Sequence, residues 1–248
     1  MSTLVRLLSL AVIGFALSIS RAGESPDEPS PRLDKKSGKP DDRFLRRHGS
    51  FVAEAKKGDV DLLLMGDFLT DDWRGNDKNG VKAIYDKAFG KYKPANFGQG
   101  ADYTQHVLWR LQNGELDGIT PKVMMLLIGG TNGSNGDAPE KIAAGVAKII
   151  QCVRQKSPTT KVLLLSVPPR GEKPSALRNR HTSVNPFLAK MDDGGKTVMY
   201  VDLGAKIMQL DGTVSKEIMP DFFHFSEKGY QIWADAVEAP LKLLMQAR

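Results

Sequence analysis

The chain has few of the residues on which metal sites and disulfides depend. Its 248 residues include one cysteine and four histidines. The single cysteine, Cys152, excludes an intramolecular disulfide, and its apolar surroundings favour a small buried side chain over a reactive thiol. The histidines are dispersed and show no metal-ligand spacing. The sequence therefore predicts no metal site.

Signals for nucleic-acid and nucleotide binding are also scarce. The formal net charge is +6, but the basic residues are scattered and do not alternate with aromatic residues, so no nucleic-acid partner is expected. The glycine pairs at Gly98-Gln99-Gly100 and Gly129-Gly130 lack the Lys-Ser/Thr of a P-loop and a full G-x-G-x-x-G pattern. We therefore expect no cofactor, and a nucleotide-binding flavodoxin-like protein is kept as an alternative.

The N-terminus differs in composition from the rest of the chain. Arg6 precedes an apolar run over residues 7–17, and small residues follow at Ser20-Arg21-Ala22. This pattern is typical of a secretory signal peptide over residues 1–22, with an uncleaved anchor as the alternative. We expect export to the periplasm or the extracellular space, and no stable membrane span after cleavage. Residues 23–42 are polar and rich in proline, which predicts a flexible leader before a single domain over residues 43–248.

Within that domain, short apolar runs alternate with helical patterns. Strands are predicted at residues 60–65, 95–98, 123–128, 161–167 and 197–202. Helices are predicted from residue 43 to Gly58, and at 81–89, 104–112, 139–155, 176–191 and 226–246. This alternation predicts a three-layer α/β/α sandwich with a five-stranded parallel sheet. Functional groups in such sheets collect at the carboxyl ends of the strands.

Two of the loops at that edge carry chemistry. The first strand runs into Gly66-Asp67-Phe68, and an apolar run ending in Gly-Asp-X before a helix is how a buried strand presents a nucleophile. Asp221 precedes His224 by three residues, so its carboxylate can hold one imidazole nitrogen and leave the other for catalysis. Phe68 stands at the nucleophile position and has no atom able to attack a carbonyl.

These loops, together with residues 96–111 (NFGQGADYTQHVLWRL), resemble the SGNH (GDSL-type) hydrolases, and most of all the platelet-activating-factor acetylhydrolase catalytic-subunit type. The resemblance extends from about Arg43 to the C-terminus. It implies a flavodoxin-like fold and hydrolysis of small acyl esters, often acetyl esters. Relatives of this type often pair, so a homodimer is one expectation.

The resemblance also assigns roles to individual positions. It places Phe68 where the family has its nucleophilic serine, and Asp221 and His224 where the family has its acid–base pair. The backbone N–H of Ala101 and the side chain of Asn132 correspond to the oxyanion donors. Compared with the family pattern, the segment ahead of Asn132 is one residue longer because of Gly129-Gly130. The direction of the Asn132 side chain can therefore differ from that in the family.

The sequence therefore predicts an ester hydrolase by descent with little or no activity. Three groups could replace the missing serine: Thr70, whose more ordinary role is helix capping, Ser134, and a water activated by His224. A non-catalytic binder of acylated glycan or lipid is the alternative function.

Overall fold

The sheet is parallel throughout. A computed structural model describes residues 25–75 and 80–246. The strands are β1 (Leu62–Gly66), β2 (Pro94–Asn96), β3 (Val123–Leu127), β4 (Lys161–Leu165) and β5 (Val198–Val201). Their order across the sheet is β2-β1-β3-β4-β5, and β1 pairs with β3 along its whole length. The direction of winding reverses between β1 and β3, which is where ligands bind in doubly wound sheets.

Helices follow or precede every strand. They are α1 (Asp42–Ala55), α2 (Phe68–Asp71), α3 (Val81–Phe89), α4 (Thr104–Arg110), α5 (Gly130–Asn135), α6 (Pro139–Lys156), α7 (Ala176–Thr182), α8 (Asn185–Ala189), α9 (Leu203–Ile207) and α10 (Glu227–Gln246). Short 3₁₀ turns cover Asp72–Arg74 and Gly90–Tyr92, and a wide helical turn covers Leu111–Glu115.

Alternate side chains of each strand enter two separate cores. Leu63 and Met65 pack with residues of α1, α4, α6 and α8 on one face of the sheet. Leu62 and Leu64 pack with residues of α2, α3, α9 and α10 on the other face. The strands are apolar on both sides because both sides are covered. The predicted three-layer sandwich with five parallel strands is confirmed.

The helices differ from the sequence prediction in three places. The helix predicted at residues 176–191 is two helices, α7 and α8, because Pro186 occupies the first turn of α8 and has no N–H to continue the helical ladder. The segment Gly129-Gly130-Thr131-Asn132, for which the sequence predicts a loop, forms the start of α5. The short helix α9 was not predicted.

Residues 25–41 lie against the domain, which differs from the flexible leader expected from their composition. The Thr104 hydroxyl donates to the Pro26 carbonyl at 2.7 Å, and Arg32 forms an ion pair with Asp102 at 2.7 Å. Lys148 donates to the Asp27 carbonyl, also at 2.7 Å. Long-range polar contacts and the burial of Pro26 hold the segment, and composition does not reveal such contacts.

The predicted signal peptide, residues 1–22, lies outside the described residues. None of the helices within 25–75 and 80–246 has the length and apolar character needed to cross a bilayer.

Candidate active site

The corner after β1 is built by a glycine and an aspartate. A Cβ at Gly66 would lie 2.2 Å from the Leu127 carbonyl oxygen and 2.3 Å from Thr70 Oγ1, so only glycine fits there. The buried Asp67 carboxylate then caps α2 by accepting the Leu69 N–H at 3.2 Å. The next residue, Phe68, therefore stands at the carboxyl edge of the sheet.

Thr70 does not fill the role expected of it. The helix cap is Asp67, while Thr70 lies inside α2 with 1 % of its surface exposed. A hydroxyl so deeply buried cannot reach a substrate carbonyl.

The side chain of Phe68 occupies the space beside the candidate base. Its ring centroid lies 4.4 Å from that of Phe223 and 5.1 Å from that of His224. A Cβ added at Gly100 would lie 3.8 Å from Phe68 Cβ, so the same side chain also borders the Gly98–Asp102 loop. The Phe68 side chain thus contacts the candidate base through its ring and lies beside the candidate oxyanion loop at its Cβ.

Asp221 and His224 are hydrogen-bonded as their spacing suggests. Asp221 Oδ2 lies 2.6 Å from His224 Nδ1, and Asp221 Oδ1 accepts the backbone N–H groups of Phe223 and His224. Slight burial raises the pKa of Asp221, but the hydrogen bonds from His224 and Phe223 outweigh it and bring the pKa to about 2. The carboxylate is therefore ionised at neutral pH and orients the imidazole, leaving Nε2 for chemistry.

A strained turn supports this pair. Phe222 adopts φ +58°, a left-handed conformation that is uncommon for a bulky residue. Its carbonyl accepts the Gly171 N–H at 2.8 Å, which fixes the turn against the loop that follows β4. Strain of this kind is concentrated at functional sites.

The first candidate oxyanion donor is available. Ala101 adopts φ +64°, and its N–H has no hydrogen-bond acceptor among the residues that the structure describes. The neighbouring Gly100 N–H is already donated to Asp71 Oδ2 at 3.1 Å. An oxyanion placed beside Ala101 would therefore meet one unpaired backbone donor.

The second candidate donor is engaged elsewhere. Asn132 is fully buried in α5, and its Oδ1 accepts the Thr104 N–H at 2.9 Å. Its Nδ2 donates to Gln105 Oε1 at 3.1 Å and to Asp137 Oδ2 at 2.9 Å. Both amide hydrogens have protein acceptors, so an oxyanion must compete with one of them.

Ser134 has a histidine partner that sequence spacing did not reveal. Its Oγ lies 2.7 Å from His181 Nδ1 and accepts a hydrogen bond from Arg170 at 3.2 Å. Burial lowers the pKa of His181 to about 4, with a further lowering by the Arg170 charge and an opposing effect from a hydrogen bond that the imidazole donates to the Gly130 backbone. The serine and the histidine come from different elements, α5 and α7.

A buried ionic network lies beneath the Gly98–Asp102 loop. Arg110 has no exposed surface and contacts Asp102 and Glu115, each at 3.0 Å. Glu115 in turn contacts His48 Nδ1 at 2.8 Å. Burial, with smaller contributions from the Asp102 and Asp72 charges, raises the pKa of the nearby Asp67 to about 7. No sequence pattern identified these residues, because buried charges look like surface charges until the fold is known.

Residues 64–232 match the GDSL-like lipase/acylhydrolase family. The chain belongs to this family. The alpha2 subunit of platelet-activating factor acetylhydrolase IB from Homo sapiens is 35% identical over 190 residues, which are 77% of this chain and 80% of that protein. The alpha1 subunit from Homo sapiens is 33% identical over 208 residues, 84% of this chain and 85% of that protein.

Solved structures show the same GDSL fold. A GDSL-like lipase from Bacteroides thetaiotaomicron superposes with a TM-score of 0.61 at 15% identity, covering 81% of this chain and 96% of that one. A variant of an acetyl-xylooligosaccharide esterase from Geobacillus gives a TM-score of 0.57 at 16% identity, covering 78% and 97%. At these identities the likeness establishes the fold alone.

Proposed function

We propose that this GDSL-family protein binds small acyl esters but hydrolyses them very slowly or not at all. The contact of the Phe68 ring with His224 carries this proposal, since an apolar ring stands where an attacking oxygen would have to be. Loss of a triad serine leaves roughly 10³–10⁴-fold catalysis over water from the remaining site. A ring in the path of the acyl group reduces even that remainder.

The polar groups around Phe68 define what chemistry is left. Asp221 orients His224, so a water held at Nε2 could be deprotonated and attack an ester slowly. Ala101 offers one oxyanion donor, while Asn132 offers none without losing a protein acceptor. A weak hydrolase that uses a His224-activated water is therefore the limit of the expected activity.

The family supports a small acyl ester as ligand, and acetyl esters first. Relatives named for acetylhydrolase and acetyl-xylooligosaccharide esterase activity support that choice. With turnover lost, the same cleft would serve a non-catalytic binder of an acylated glycan or lipid. We further propose that the chain is exported after cleavage of residues 1–22 and that it pairs as a homodimer.

The test is restoration of the serine. Purified wild-type protein should hydrolyse p-nitrophenyl acetate close to the buffer rate, while Phe68→Ser should raise the rate by roughly 10³-fold or more. Phe68→Ala is the matched control, because it removes the ring without supplying a hydroxyl and should give little gain.

Robust wild-type hydrolysis that is lost in His224→Ala would refute the proposal of a disabled site. A Phe68→Ser variant with no gain in hydrolysis rate would show that the oxyanion groups are also misplaced. The side chain of Asn132 would then be the first group to examine. Thermal stabilisation by acetylated sugars that persists in His224→Ala would identify the non-catalytic binder.

A further inference from the structure

A second, strongly basic groove lies beside the Gly98–Asp102 loop. It has a volume of about 570 Å³ and is bordered by residues 25–41, by α1, and by the backbone of Gly100 and Ala101. Four arginines line it, Arg32, Arg43, Arg46 and Arg47, and we refer to it as the arginine groove.

Its positive charge is only partly balanced. Asp71 is the one carboxylate among the lining residues, and it is shared by Arg47 at 2.5 Å and by Arg74. Arg32 is paired with Asp102. The exposed side chains of Arg43 and Arg46 have neither an ion-pair nor a hydrogen-bond partner within residues 25–75 and 80–246. The groove therefore presents at least two guanidinium groups with no counter-charge.

Aromatic rings hold two of the groove arginines in place. The Nε atoms of Arg32 and Arg47 are shielded from solvent and have no hydrogen-bond acceptor within residues 25–75 and 80–246. Their guanidinium groups lie 5.4 Å from the centre of the Phe44 ring and 5.3 Å from that of the Phe51 ring, which restrains them.

Helix α1 does not benefit from this arrangement. Arg43, Arg46 and Arg47 have i,i+3 and i,i+4 spacing, so three like charges lie on one face of the helix. Arg43 also lies in the first turn, where the helix dipole disfavours a cation. Helix α1 thus departs from two helix-stability preferences at the same place, and such combined departures are typical of a functional site.

We propose that the arginine groove binds a sulfate or phosphate ester group of a ligand. Guanidinium groups pair with such oxyanions through parallel N–H···O bonds, and several of them around one cavity favour a multivalent anion over chloride or acetate. Because Gly100 and Ala101 border the groove, the bound group would lie next to the candidate oxyanion loop. This binding does not depend on whether the protein hydrolyses esters.

The test measures anion binding by calorimetry and by the midpoint of thermal unfolding. Sodium sulfate and sodium phosphate are titrated into the full chain, with sodium chloride at equal ionic strength as reference. We expect saturable binding and a higher unfolding midpoint, with affinity at least tenfold lower in Arg43→Gln/Arg46→Gln. Glucose 6-sulfate and glucose 6-phosphate then show which ester is preferred.

The matched control is Lys206→Gln/Lys242→Gln, which removes the same charge from exposed positions on α9 and α10, across the sheet from α1. Its affinity should stay within twofold of wild type. Stabilisation no greater than that by chloride, or equal loss of affinity in both double variants, would overturn the proposal. Because both groove positions are exposed, the variant should fold, which circular dichroism checks directly.

Discussion

His224 and His181 both lie near the ring of Phe223. The Phe223 centroid is 4.9 Å from the His224 ring and 6.3 Å from the His181 ring. His224 is half exposed and hydrogen-bonded to a carboxylate. His181 is 4 % exposed and hydrogen-bonded to the Ser134 hydroxyl.

Neither histidine has the full set of partners that a catalytic site requires. Next to His224 there is an oriented base but no nucleophile, since Phe68 stands at that position. Next to His181 there is a hydroxyl, but its partner has a pKa of about 4, far below the value near operating pH that suits a general base. We therefore interpret Ser134–His181 as a structural link between α5 and α7.

The rate of ester hydrolysis should distinguish the two histidines most strongly. In the Phe68→Ser background, adding His224→Ala should abolish the gain in ester hydrolysis, a loss of roughly 10³-fold. Adding Ser134→Ala should leave the gain within a few-fold. Rates with p-nitrophenyl acetate decide between them. If Ser134→Ala removed the activity instead, the interpretation of that pair as structural would be wrong.

The next effect tests the environment of His181 through stability. Its folded pKa of about 4 lies below the ordinary value of 6.5, so between these values the unfolded chain holds a proton that the folded chain lacks. The resulting contribution to the free energy of unfolding is fully present above pH 6.5. It falls by about 3 kcal/mol as the pH is lowered towards 4.

His181→Gln cannot titrate and should not show this loss. From pH 7.5 to pH 4, the free energy of unfolding of the wild type should therefore fall by about 3 kcal/mol relative to that of His181→Gln. Denaturant titrations at both values provide the measurement, with Ser134→Ala as the control that keeps the imidazole. A constant difference would mean that His181 takes up its proton at the same pH in the folded protein as in the unfolded chain.

The smallest effect concerns the oxyanion loop. Ala101 is exposed and adopts φ +64°, so Ala101→Gly removes backbone strain and loses no packing. We expect the free energy of unfolding to rise by about 1 kcal/mol, measured by denaturant titration. No gain would show that the loop relaxes out of the left-handed conformation.

The strands and most long helices followed from apolar periodicity. The helix at Val81–Phe89 was predicted with the bounds that it has in the structure. Prediction failed where a single residue or a short segment decided the outcome, as with Pro186 between α7 and α8. The short helices α5 and α9 carry too few residues for periodicity to be visible.

In the candidate site, sequence order placed Phe68, Asp221 and His224 at one edge of the sheet, because parallel strands end there together. It could not show where the amide of Asn132 points. That direction depends on Thr104, Gln105 and Asp137, whose positions follow from the packing of α4, α5 and the start of α6.

The order of residues alone shows that the Gly66-Asp67-Phe68 corner carries no hydroxyl and that a carboxylate stands three residues before His224, because both are local facts of residue identity and spacing. The folded arrangement was needed to show that His224 is exposed, that Ser134 is paired with His181, and that Arg32 joins the arginines of α1. Burial and charge neighbourhood arise from segments far apart in the chain, and they set the chemistry of side chains that look alike in the sequence.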